Sequence, residues 1–276
     1  MNSQNRYLSA SPIDLFRSMA GNSGLIRSLV VREVIGRYRG SAMGLLWSFF
    51  NPILMLAVYT YVFSVVFQAR WGEGSGSKTE FALVLFSGLM VFNLLAECCN
   101  RAPALIVGNT GYVKKVVFPL EILPVVSLGA ALFHLLVSFV VWLLFYVAFI
   151  GMPSPTILLM PLAIAPLILL VLGASWILAS LGVYLRDVGQ VVAVITLVLM
   201  YLSPIFYPVS AMPDFYRFVM KLSPLTFAIE QARDVMMWGR AIDWQSWSRA
   251  MAISILIALM GFAWFQKTRR GFADVL

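Results

Sequence analysis

Long apolar runs separated by short polar turns dominate the chain. A helix that crosses a bilayer core needs about 20 residues, mostly apolar. Six stretches approach or exceed that length, near residues 44–68, 81–99, 124–150, 157–185, 191–207 and 250–265. Ahead of the first, residues 24–40 can form a helix with Ser28, Arg32, Gly36 and Arg39 along one polar stripe and Val30, Val34 and Tyr38 roughly opposite. Such a helix can lie in the membrane interface with its arginines near lipid phosphate. Between the fifth and sixth runs, residues 208–249 are too apolar for an ordinary exposed loop. Pro213 can open a short helix through Lys221. Ser223-Pro224 is a second helix start, a cap followed by proline at the first helical position, and Gly239 is its stop. Leu225, Ile229, Ala232 and Met236 fall at helical spacing on that second piece. The pattern is read as two short re-entrant helices, which are tolerated where protein or water shields the backbone. The alternative is a small external cap on the bilayer surface. The fold class is therefore an all-α membrane protein with six transmembrane helices, an N-terminal amphipathic interface helix (residues 1–43 forming the cytoplasmic segment) and a six-span domain over 44–276. The re-entrant region covers about 204–248.

Composition agrees. Hydrophobic residues make up 61% of the chain and charged residues 12%, against about 25% charged in a soluble domain. The formal net charge of +8 invites a nucleic-acid reading, but the cations flank apolar runs. With both ends placed in the cytoplasm, that side receives Arg6, Arg17, Arg27, Arg32, Arg37 and Arg39, then Arg101, Lys114 and Lys115, then Arg186, and finally Lys267, Arg269 and Arg270. On the other side, the first loop has Arg70 and Lys78, balanced by Glu73 and Glu80, and the third has no lysine or arginine. The positive-inside rule then places both termini in the cytoplasm.

Little in the chain suggests reaction chemistry. No G-x-x-x-x-G-K-[ST] phosphate loop occurs, so nucleotide binding of that kind is not expected here. Cys98 and Cys99 are adjacent within an apolar run, a spacing for neither a disulfide framework nor a metal. The single histidine, His134, falls in the third run and is expected to be a neutral, hydrogen-bonded packing residue. Glu97 and Arg101, four apart on one helix, are expected to form a structural ion pair. A proton-coupled carrier would use a carboxylate such as Glu97, but the later runs lack a relay of ionisable groups. A membrane enzyme acting on glycans would need a carboxylate or metal set that the sequence does not offer.

The order of features resembles one known family. The segment LVVREVIGRYRGSAMGLLWSFFNPIL (29–54) resembles an interface helix leading into a first span. KKVVFPLEILP (114–124) resembles the cytoplasmic turn before a third span, and VYLRDV (183–188) the turn after a fourth. SPIFYPVSAMP (203–213) followed by SPLTFAIEQARD (223–234) resembles an external re-entrant region. In order, spacing and total length these resemble the type-2 ABC exporter permeases that move O-antigen, capsular polysaccharide and teichoic acid. The resemblance implies a homodimer of permease chains in the bacterial inner membrane, two separate cytoplasmic ATPase subunits that bind ATP and Mg, and a lipid-linked glycan substrate. No cofactor is expected in this chain. The leading expectation is export of O-antigen, with an ion-coupled carrier as the alternative outside the family and capsule or teichoic acid within it.

Candidate site residues follow from this assignment. Arg32, Arg37, Arg39, Tyr112, Lys114 and Lys115 are expected at the ATPase interface, with 108–117 as the coupling turn; the alternative is that the lysines only enforce topology. Tyr59, Phe63, Tyr201 and Phe206 are expected to line the translocation pathway, because rings stack on sugar faces without fixing one hydrogen-bond register. The competing reading for such rings is a lipid-facing aromatic belt. Pro204, Tyr207, Pro208 and Phe215 are expected at an external gate. Ser175, Ala179 and Gly182 mark a small-residue face for close packing within or between protomers.

Overall fold

The computed structural model describes residues 12–62, 78–115 and 118–276, and every regular element among them is helical. Five helical segments are long and apolar enough to cross a membrane: Gly44–Val62, Thr79–Arg101, Ile122–Phe149, Pro155–Tyr184 and Trp244–Val275. The fifth expected span, near 191–207, is a shorter apolar helix, Val188–Leu202.

Two helices precede the first apolar run. α1 (Pro12–Gly21) was not expected from the sequence; α2 (Ser23–Tyr38) covers the helix expected over residues 24–40. α2 buries only Leu29 and Val34, leaving Val31 and Ile35 exposed. It lies on α7 (Ile122–Phe149), where Gly129 makes room for Val30: a Cβ at Gly129 would sit 2.6 Å from Val30 Cγ2. The first apolar run enters through a 3₁₀ turn, Gly44–Leu46, into α3 (Trp47–Tyr59), which carries Pro52 in its interior. The expected end of that run, Phe63 included, lies outside the described residues.

α4 (Lys78–Arg101) is the central element, with most of its length buried inside the protein. Around it pack α3, α7, α8 (Met160–Tyr184) and α9 (Val188–Leu202). Two short helices, α5 (Ala104–Val107) and α6 (Thr110–Lys115), form the turn between α4 and α7. After α9 the backbone becomes extended at Ser203. It then runs through a 3₁₀ turn, Val209–Ala211, into α10 (Asp214–Leu222) and α11 (Pro224–Arg233). A π turn, Asp234–Trp238, ends at Gly239, whose φ of +63° is the left-handed stop expected from glycine there. All four residues of the anticipated apolar stripe, Leu225, Ile229, Ala232 and Met236, are buried against the bundle.

α12 (Trp244–Thr268) starts six residues earlier than its apolar run, because Asp243 caps it by accepting from the amides of Gln245 and Ser246. It pairs closely with α8. A Cβ on Gly261 would fall 2.2 Å from the carbonyl oxygen of Gly173, and one on Gly173 would fall 2.6 Å from that of Ile257. The small-residue face of α8 likewise packs within the protomer: Ser175 and Ala179 are buried, and Gly182 lies over the Pro103 backbone. Pro166, inside α8, withdraws the amide that Leu162 O would otherwise accept. Trp247 of α12 replaces it, its Nε1 donating to that carbonyl at 2.8 Å. The end of the chain, α13 (Phe272–Val275), folds back on α6 and α8 with Phe272 fully buried.

Candidate functional site: a polar cavity among the first three apolar helices

Three helix faces with polar positions converge. On α3, Ser48, Asn51 and Tyr59 lie on one side; on α4, Asn93, Glu97, Asn100 and Arg101; on α7, His134 and Ser138. Each set recurs at helical spacing, so each helix gathers these polar positions on one face, with Asn51, Asn93 and Asn100 exposed. Together with Arg37 and Tyr38 at the end of α2, these stripes line a cavity of about 560 Å³. Met55, Phe86, Leu89 and Met90 complete its wall.

The end nearest α2 is charged. Arg37 pairs with Glu97, and Arg101 pairs with Glu33 while also reaching Glu97 at 3.7 Å. His134 Nδ1 lies 3.0 Å from both oxygens of Glu97, and Arg37 Nη1 also approaches that nitrogen at 3.0 Å. With the imidazole proton on Nδ1, Nε2 accepts from the Tyr38 hydroxyl at 3.3 Å. Burial pushes the Tyr38 phenol above its usual pKa, so it remains a donor at neutral pH. The expected Glu97–Arg101 ion pair is present as the longer contact, and His134 is hydrogen-bonded as expected; what the structure adds is that Arg37 and His134 are the closer partners of Glu97. The partners are 60 and 37 residues away from Glu97 in sequence, beyond the reach of helical spacing.

The rest of the cavity is neutral. The carboxamides of Asn51 and Asn93 and the hydroxyl of Ser138 make no hydrogen bond among the described residues, whereas Asn100 Oδ1 accepts from Thr196 of α9 at 3.1 Å. Pro52 leaves the Ser48 carbonyl, on the same face, without its i+4 amide donor. Of the proposed pathway rings, Tyr59 lines this cavity and is half-buried. Tyr201 stacks on Phe206 with centroids 5.8 Å apart. Phe63 is not among the described residues.

The residues expected at the ATPase interface separate. Arg32 Nη2 donates to the Tyr112 hydroxyl at 3.1 Å, and Tyr112 stacks on Phe118 at 4.3 Å. Arg37 instead turns into the cavity, and Arg39 is exposed just past α2, its guanidinium without a hydrogen bond or ion pair among the described residues. Lys114 and Lys115 close α6. Beside this turn, Glu121 joins several segments. Its carboxylate accepts from Ser18 of α1 at 2.9 Å and from Arg269, just past α12, at 2.8 Å, while Arg269 also donates to Phe118 O at 3.0 Å.

At the opposite end, Pro204 is buried and Pro208 half-buried. Tyr207 Oη donates to the carbonyls of Tyr201 and Leu202 at 2.7 and 3.1 Å, capping the end of α9. Phe215 stands exposed on α10 beside Tyr216. A residue overlooked in the sequence holds this region: Arg233, 4% exposed. Its guanidinium donates to Val84 O at 3.1 Å, to Ile205 O at 2.7 Å and to Pro204 O. Gly88 gives it room. An arginine inside an apolar helix repeat was the available signal.

The family model described as ABC-2 type transporter matches residues 24–237. The chain belongs to the ABC-2 type transporter family. As a member with several apolar helices it is a multi-pass membrane protein and a transport component. Among its relatives is an O-antigen export system permease protein of Myxococcus xanthus, 26% identical over 264 residues, covering 95% of this chain and 99% of the relative. A protein of the same description from Klebsiella pneumoniae is 24% identical, over 94% of this chain and 98% of its own. The polysialic acid transport protein of Escherichia coli is 22% identical, over 87% of this chain and 92% of its own.

Proposed function

We propose that this chain is the permease subunit of an ABC exporter that moves lipid-linked polysaccharide, most closely O-antigen, across the bacterial inner membrane. The observation that carries the reading is the end-to-end match to O-antigen export permeases: both chains are covered almost completely. Two permease copies would form the conduit, and two cytoplasmic ATPase subunits would bind ATP and Mg. The exposed apolar faces of α3 and α9, including Phe50, Leu54, Val194, Val198 and Tyr201, supply surface for a second copy or for lipid. α9 spans about 22 Å at 1.5 Å per residue, short of a roughly 30 Å bilayer core. The extended segment after it and the re-entrant α10–α11 pair would complete the fifth crossing and close the external mouth around Pro204, Tyr207, Pro208 and Phe215. Both termini would be cytoplasmic, with Arg32–Tyr112 and the Lys114–Lys115 end of α6 facing the ATPase.

The Glu97–His134 contact is of the kind a proton-coupled carrier employs, which keeps one rival in view. The two guanidinium groups beside Glu97 favour its fixed anionic form, as expected of a structural junction. Expression in a strain deleted for its O-antigen permease decides between them. Surface polymer should return only with the ATPase co-expressed and should survive collapse of the proton gradient while ATP is maintained. Export that follows the proton gradient and ignores ATP would favour the carrier.

A further inference from the structure

The cavity has two chemically different ends, and their difference indicates what it binds. At the α2 end two guanidinium groups, Arg37 and Arg101, face two carboxylates, Glu97 and Glu33. These charges cancel formally, and both cations already have carboxylate partners. A phosphate or diphosphate entering here would meet Glu97 as well as the arginines, so this end is poorly suited to an anion. Farther along, the lining is neutral. Asn51 and Asn93 project from helices that are otherwise strongly apolar, and neither has a hydrogen-bond partner among the described residues. Carboxamides within a membrane span are costly unless water, protein or a ligand meets them. Each can donate and accept at once, as a pair of neighbouring sugar hydroxyls requires. Beside them Tyr59, Phe86, Leu89 and Met55 offer apolar surface, which suits the C–H face of a sugar ring. The volume is that of a small-molecule site.

We infer that this cavity is a saccharide site in each protomer, in which Asn51 and Asn93 hold neutral sugar residues of the exported glycan by their hydroxyls, leaving its phosphate end elsewhere. The inference rests on the polysaccharide-export reading above. Its chemistry is uncharged recognition: amides pair with hydroxyls, rings and methylenes cover the apolar faces, and the closed ion network forms the floor.

The test uses the full permease–ATPase complex in cells. Asn93→Cys and, separately, Asn51→Cys are labelled with a small neutral methanethiosulfonate, with and without glycan synthesis; Cys98 and Cys99 are buried and serve as the unlabelled background. Occupancy by glycan should slow labelling of both positions about tenfold, the scale of one or two hydrogen-bonded contacts, and millimolar inorganic pyrophosphate in inside-out vesicles should not. The Asn51→Ala/Asn93→Ala double variant should lower export about tenfold with normal membrane level and basal ATP hydrolysis, and glutamine at either position should restore part of it. Labelling that is indifferent to glycan overturns the saccharide site, whatever the alanine variant does. Protection by pyrophosphate alone assigns the cavity to the phosphate end and also overturns it. Failure of the unmodified chain to return polymer to the surface overturns the export reading instead.

Discussion

Single residues set much of the internal hydrogen bonding. Trp247 satisfies the Leu162 carbonyl because Pro166 has no amide to give it. Trp247→Phe should therefore cost about 1–2 kcal/mol, the scale of a buried acceptor left unmade. Pro166→Ala in that background should recover part of the loss by restoring the helical amide. A double-mutant cycle on detergent-solubilised protein, read by thermal unfolding, checks this; additive losses would show that the two sites are not linked. Asp243 offers a second case. Hydrogen bonds from Ser246 hold its carboxyl below its usual pKa, with contributions from the Gln245 amide and Arg249. A group with a depressed folded pKa stabilises above its unfolded value, about 3.9, and that contribution is lost as pH falls through the folded value. Through Asp243, stability should thus not vary with pH around 7 and should decline only as pH falls below about 4. Asp243→Ala should cost about 1 kcal/mol at neutral pH while Asp243→Asn stays near neutral, since asparagine caps nearly as well.

Among elements, the α8–α12 crossing depends on backbone contact. Gly173 and Gly261 leave no space for a Cβ, and the atoms in the way are backbone, which cannot swing aside. Gly173→Ala and Gly261→Ala should each sharply reduce folded protein, with losses of several kcal/mol, in the upper range for point substitutions. Membrane yield and protease resistance would report it, with Gly189→Ala as the comparison because nothing lies within 4 Å of a Cβ there. Normal yield of both crossing variants would mean that the two helices can separate without loss. Arg233 plays a corresponding part for α11, joining it to α4 and to the broken end of α9 through three carbonyl groups.

For the whole molecule, the question is what the aromatic rings near α3 and α9 touch. Tyr59 faces the cavity and Tyr201, 60% exposed, lies on the surface left open by α9. If a second copy closes on that surface, the two rings border a shared conduit. Substituting both tyrosines with alanine should then impair export several-fold, with assembly and basal ATP hydrolysis retained. The scale follows from aromatic contacts worth roughly 0.5–1.5 kcal/mol each. Surface polymer appearing at the normal rate in that variant would return both rings to the lipid-facing belt.

The sequence by itself determined the apolar helices, most of their boundaries and the break after the fifth run, because hydrophobic length and proline or glycine position act locally. Pro224 at the first helical position and Gly239 at the left-handed stop begin and end their segment as expected, although Ser223 makes no side-chain cap hydrogen bond. Polar spacing also made Glu97 and Arg101 neighbours on one helix. Only the tertiary structure decided which stripes face one another. It brought Arg37 and His134 to Glu97, placed Asn51 opposite the α4 stripe, turned the small-residue face of α8 inward and gave Arg233 its three carbonyls. The physical reason is that an apolar helix packs through shape alone. Many neighbours satisfy its hydrophobicity equally well, and the choice among them rests on glycine gaps and a few buried polar groups whose partners lie far away in the chain.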